Sequence, residues 1–98
     1  MSINTYDIGD SIKSSAAFAT AAGVATDPTV IAVSYKIGSG DVTTKTYITD
    51  AEVIKDSTGN YHIDLTATVG MWYIRWVGTG AVVAAAESSF YVQPSKVI

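Results

Sequence analysis

The 98-residue chain has no cysteine. Disulfides, thiolate nucleophiles and cysteine-ligated metals are excluded, and the redox compartment is left open. Basic residues are few: six Lys and Arg stand against nine Asp and Glu, for a net charge of −3. Lys13, Lys36, Lys45, Lys55, Arg75 and Lys96 are scattered along the chain. No basic patch exists to hold nucleic acid or an anionic membrane, so neither is expected as a partner. Histidine occurs once, as His62, which removes most hydrolytic constellations. Leu65 is the only leucine. Leucine is normally among the commonest residues, so its near absence argues against helices. The longest apolar run, 81–86, falls far short of the roughly 20 residues of a transmembrane helix. The opening MSINTYDIGD has neither a basic region nor an apolar one, so no signal peptide is expected. Charged residues make up 15%, below the roughly 25% usual for soluble domains. A surface so lightly charged suits extensive contacts with other proteins, and equally suits a quiet surface.

What remains is apolar and β-branched. Hydrophobic residues make up 48% of the chain, enough for one domain over 1–98 with a modest core. Val, Ile and Thr are abundant, and their branched side chains suit a pleated sheet better than a helix. The pattern predicts an all-β chain. A glycine turn at Gly9 leads into a run in which Ile12, Ser14, Ala16 and Phe18 share one face. The Ala-rich stretch 16–22, ending at Gly23, also fits a short helix with a glycine stop, but the neighbouring period of two favours a strand. Asp27-Pro28 marks a turn. Ile31, Val33, Tyr35 and Ile37 alternate with polar residues as a half-buried strand. Gly38-Ser39-Gly40-Asp41 supplies a hairpin turn, and 43–48 returns, with its exposed face undecided. Residues 50–56 then form another connection or a short strand around Val53 and Ile54, followed by a turn at 57–60.

The segment 59–80, GNYHIDLTATVGMWYIRWVGTG, is the clearest stretch. Tyr61, Ile63 and Leu65 face one way on its first run, and Trp72, Ile74 and Trp76 on its second. Both tryptophans of the protein thus lie on one face of one strand. Gly78-Thr79-Gly80 is read as the next turn. Val82 and Val83 begin the last strand, which the alanine run interrupts and Pro94 stops. The candidate core is Phe18, Val33, Tyr35, Tyr61, Ile63, Leu65, Trp72, Ile74, Trp76, Phe90 and Val92. About seven short antiparallel strands at 8–12-residue spacing suit a β-sandwich or small barrel without a disulfide.

Chemistry is sparse. His62 and Asp64 share a solvent-side face, but two ligands are too few for a structural zinc site. The aspartates sit mostly at turns, where they bond backbone amides. No spacing sets two carboxylates across a cleft as glycosidases require. Neither glycine pair continues into a phosphate-binding motif. No catalytic residue, metal or cofactor is expected. Tyr73, Tyr91 and Tyr47 fall opposite the core, where tyrosine fills a protein interface, stacks on a sugar ring, or is simply exposed.

The elements Tyr6-Asp7-x-Gly9-Asp10, Asp27-Pro28-Thr29, Asp56-x-Thr58-Gly59-x-Tyr61-His62-x-Asp64-Leu65 and Gly70-x-Trp72-Tyr73-x-Arg75-Trp76-x-Gly78-Thr79-Gly80 occur in order along nearly the whole chain. In these the chain resembles small immunoglobulin-like proteins encoded among the virion genes of tailed bacteriophages and prophages. The resemblance implies an immunoglobulin-like sandwich. It also implies a non-enzymatic virion component, made in the host cytoplasm and present in multiple copies. Such a component decorates the capsid or attaches at the neck through other virion proteins. The alternative is a tail or baseplate module that binds host-surface carbohydrate. Tyr73, Arg75, Tyr91, Pro94, Lys96 and Ile98 are the expected contact residues.

Overall fold

The structure, a computed structural model, describes residues 4–94. Alternating β-branched and aromatic residues form eight strands, and no helix occurs among the described residues. They are β1 (Asn4–Asp7), β2 (Ser11–Ala17), β3 (Val30–Ile37), β4 (Thr43–Thr46), β5 (Val53–Ser57), β6 (Asn60–Thr66), β7 (Gly70–Thr79) and β8 (Ala84–Gln93). A five-stranded sheet has the order β1-β8-β7-β3-β4, and a three-stranded sheet the order β2-β6-β5. Seven strands were expected, all antiparallel. The additional one, β1, pairs parallel to β8, with Asn4 opposite Phe90 and Asp7 opposite Gln93. Its Tyr6 ring meets Phe90 edge-on at 5.2 Å, which anchors this short strand.

The inner faces of both sheets meet in one core. Phe18, Val33, Tyr61, Ile63, Leu65, Trp72, Ile74, Trp76, Phe90 and Val92 are buried, together with Ile12, Ile31, Val53 and Val82. Tyr35 is only half-buried: it lies late in β3 and stacks on Trp72 at 6.0 Å from the core's margin. Tyr47 is likewise half-buried, against Tyr61 at 5.1 Å. The two indoles each find a polar partner. Trp72 Nε1 donates to the Thr68 carbonyl at 2.8 Å, and Trp76 Nε1 to Ser14 Oγ at 3.0 Å. The second bond ties β7 to β2 across the two sheets.

Three boundaries differ from the expectation. β4 ends at Thr46, because Ile48 takes a positive φ of 78°. The turn there is held by Asp50, whose carboxylate accepts from Thr46 N at 2.8 Å and whose N–H donates to the Thr46 carbonyl at 2.8 Å. β7 runs through Gly78 and Thr79, so the last strand begins at Ala84. The alanine run lies inside β8, paired in continuous register with 76–78. Neighbouring strands override the weak β-propensity of alanine.

Loop 18–29 is fastened to the β5–β6 turn by Asp27. Its carboxylate accepts from Lys55 Nζ, Gly59 N and Tyr61 Oη, each at 2.7 Å. The Lys55 bond chiefly, then those from Tyr61 and Gly59, bring the Asp27 pKa down to about 2. Burial, then the bond to Asp27, pushes the Tyr61 hydroxyl well above the usual tyrosine range. Gly59 has φ 79°, and a Cβ there would lie 2.5 Å from the Phe18 carbonyl oxygen. Only glycine fits that turn.

Candidate functional site

The inward set of β7 is Trp72, Ile74 and Trp76, so Tyr73, Arg75 and Val77 point outward. The ladders with β3 and β8 extend these positions into rows across the outer face of the five-stranded sheet. One row is Lys36–Tyr73–Ser89, the next Ser34–Arg75–Glu87, the next Ala32–Val77–Ala85. Thr44 and Thr46 of β4 extend the last two. Beyond Tyr73, Met71 pairs with Tyr91, which pairs with Thr5 of β1. Tyr73, Arg75 and Tyr91 are thus brought onto one face. The two tyrosines are 44% and 41% exposed.

The middle rows are polar. Lys36 Nζ stands 5.8 Å from the centroid of the Tyr73 ring, a cation–π distance. Arg75 donates to Glu87 Oε1 at 2.9 Å, and Ser34 shares a 2.9 Å hydrogen bond with Thr44. Both charged partners are more than half exposed, so this pair adds little stability. Together these rows line a shallow groove of about 680 Å³, closed at one end by Gly38, Ser39 and Val42.

The end nearer the β7–β8 turn is apolar. Val30 pairs with Thr79 beside the Ala32–Val77–Ala85 row. At this margin two more side chains stand in solvent: Ile48, 84% exposed, and Val83, 80% exposed. The Tyr47 amide donates to the Ile31 carbonyl, which holds Ile48 beside the start of β3. Ile48 is β-branched and left-handed, a costly combination of about 1–2 kcal/mol. Nothing in the core repays that strain, since its side chain is in solvent.

The other sequence candidates are placed elsewhere. Pro94 is exposed just after β8, while Lys96 and Ile98 lie outside the described residues. His62 and Asp64 are on the outer face of the three-stranded sheet. His62 Nδ1 is 2.8 Å from both Asp56 oxygens, and Nε2 is 3.5 Å from Asp64 Oδ2. Its two nitrogens face two carboxylates on opposite sides of the ring, so they do not converge on one point. Among the described residues no group of three or more His, Asp or Glu is arranged to hold a metal.

Lys36, Glu87 and the Val30–Val77 strip were missed in the sequence reading. The period of two already carried Val30, Ala32 and Val77 to the face opposite the core, and that signal was available. The exposure of Ile48 had no such signal, because it depends on a backbone reversal. The chain matches no protein-family model, no curated protein and no solved structure.

Proposed function

We propose that this protein is a non-enzymatic, immunoglobulin-like structural component of a tailed-phage virion, decorating the capsid or associated with the neck. It acts through protein contacts made by the outer face of the five-stranded sheet. The observation that carries this reading is the composition of that face. Two half-exposed tyrosines and an arginine, residue types enriched where protein interfaces are strongest, adjoin an apolar strip that ends in Ile48 and Val83.

The topology supports the immunoglobulin-like part. Read in order as A′, B, C, C′, D, E, F and G, the strands give one sheet A′-G-F-C-C′ and another B-E-D. Ile74 is buried on strand F, and the chain has no cysteine to join the two sheets there. Trp72, two residues earlier, bonds back to the Thr68 carbonyl as the corner tyrosine does in immunoglobulin domains. Its indole and that of Trp76 supply bulk where no disulfide exists.

Particles of the phage or induced prophage that carries the gene provide the test. Mass spectrometry of purified particles should find the protein in many copies. Particles that lack it, from cells that make it, would sink the proposal. If it is absent from the shell and neck but sits on the tail, and binds host saccharides on an array, the carbohydrate-binding alternative takes its place.

A further inference from the structure

The charged residues that line the groove on the five-stranded sheet are Lys36, Arg75 and Glu87. Arg75 and Glu87 pair with each other at 2.9 Å. Elsewhere Lys45 meets Glu52 at 2.9 Å and Lys55 meets Asp27 at 2.7 Å. Lys13 stands opposite Asp64 in the β2–β6 ladder. Among the described residues no carboxylate pairs with Lys36. Residues outside 4–94 include no Asp or Glu that could do so. The Lys36 ammonium lies instead 5.8 Å from the centroid of the Tyr73 ring. A chain of net charge −3 thus has a groove with two cations against one carboxylate.

Contact with a neighbour strips water from this groove. Lys36 is already half-buried, and full burial would remove its remaining hydration. An ammonium buried without a partner is among the costliest groups a protein can hold. The Tyr73 ring attracts the cation through its quadrupole but does not neutralise it. Arg75 and Glu87 already balance each other. We propose that the protein partner of this face places one Asp or Glu carboxylate on Lys36, beside Tyr73. The inference rests on the reading that this face is an interface, and it names the chemistry of what covers it.

The same rows give the rest of the partner's surface. The Ala32–Val77–Ala85 row is apolar and lies four residues along β7 from Tyr73. That separation is about 13 Å. The complementary patch therefore runs from a carboxylate, across neutral polar groups over Arg75 and Glu87, to an apolar side chain. An acidic saccharide would offer the same carboxylate. Its hydroxyls would find no bonding partner on the alanine and valine row, which favours a protein.

Carbodiimide treatment of purified particles tests this, because it joins an amine to a carboxylate in contact with it. Peptide mass spectrometry should find Lys36 linked to an Asp or Glu of another virion protein, and unlinked in the free protein. In competition with wild type, Lys36→Glu should enter particles at least about tenfold less well, with little change in Tm. Lys36→Gln should fall between the two. Lys13→Glu, a charge reversal on the other sheet, should enter normally. Equal entry of Lys36→Glu, a Lys36 that stays unlinked in particles, or a link already formed in the free protein would overturn the inference. So would binding of the free protein to uronic-acid glycans that Lys36→Glu abolishes, which would give the face to a saccharide. If Tyr73→Ala with Arg75→Ala is excluded from particles while Lys36→Glu enters freely, this inference fails and the virion reading stands. Particles without the chain would end both.

Discussion

Replacing Ile48 by glycine should make the free protein more stable and the assembled one weaker. Ile48 holds φ at 78° with its side chain 84% exposed. A left-handed conformation costs an L-residue about 1–2 kcal/mol, and a β-branched one falls at the upper end. Glycine removes that cost but gives back about 0.5–1 kcal/mol through the greater freedom of its unfolded chain. The net gain is about 1–1.5 kcal/mol. Little packing is lost, because the side chain touches mainly water. Urea denaturation followed by circular dichroism reads the change as a higher midpoint at constant slope. If Ile48 is displayed for a partner, the same variant should enter particles less well than the wild type in direct competition. A stability that falls by about 1 kcal/mol or more would refute the reasoning, since it would mean that Ile48 is packed and unstrained in the free protein. A higher midpoint with undiminished incorporation would remove Ile48 from the interface.

Other substitutions probe the core, the fastening of the loop and the surface. Trp76→Ala should cost about 3–5 kcal/mol in the same denaturation assay, a large share of the roughly 5–15 kcal/mol that holds a domain together. A midpoint that hardly moves would show that the indole of β7 does not anchor the core. Asp27 has its pKa lowered from 3.8 to about 2, so its stabilising effect is complete above pH 3.8 and is lost as pH falls toward 2. Asp27→Asn should therefore be less stable than wild type at pH 6, with the gap closing between about pH 4 and pH 2. A gap constant over that window would contradict the three-bond fastening. Tyr73→Ala with Arg75→Ala should leave Tm within about 2–4 °C, because both side chains are exposed. The pair should nevertheless lower incorporation into particles several-fold, and full incorporation would take these residues out of the contact surface.

Much of the sandwich was legible because its signal is local. Trp72, Ile74 and Trp76 alternate with Tyr73 and Arg75, and a period of two can be read without knowing what lies opposite. The features that escaped are set by tertiary contacts. β1 exists because Tyr6 packs on Phe90 and its backbone pairs in parallel with the far end of the chain. The alanines of β8 look like an interruption until β7 supplies a ladder for them. Ile48 reads as the end of an alternating strand, and only the Asp50 carboxylate on Thr46 N reverses the chain there. Asp27 was recognisable as a turn residue, but its three donors come from residues 28 to 34 positions away. The candidate surface was half visible for the same reason. Tyr73, Arg75 and Tyr91 follow from strand parity. Their union with Lys36, Glu87 and the Val30–Val77 strip follows from strand order, which periodicity does not encode.

A reconstruction of the particle by electron cryomicroscopy, with this chain fitted to its density, tests the central claim most directly. The account predicts many symmetry-related copies on the shell or at the neck. In each, Tyr73, Arg75, Tyr91, Ile48 and Val83 should lie against a neighbouring virion protein. Copies whose five-stranded outer face looks into solvent, or particles with no density for the chain, would contradict it.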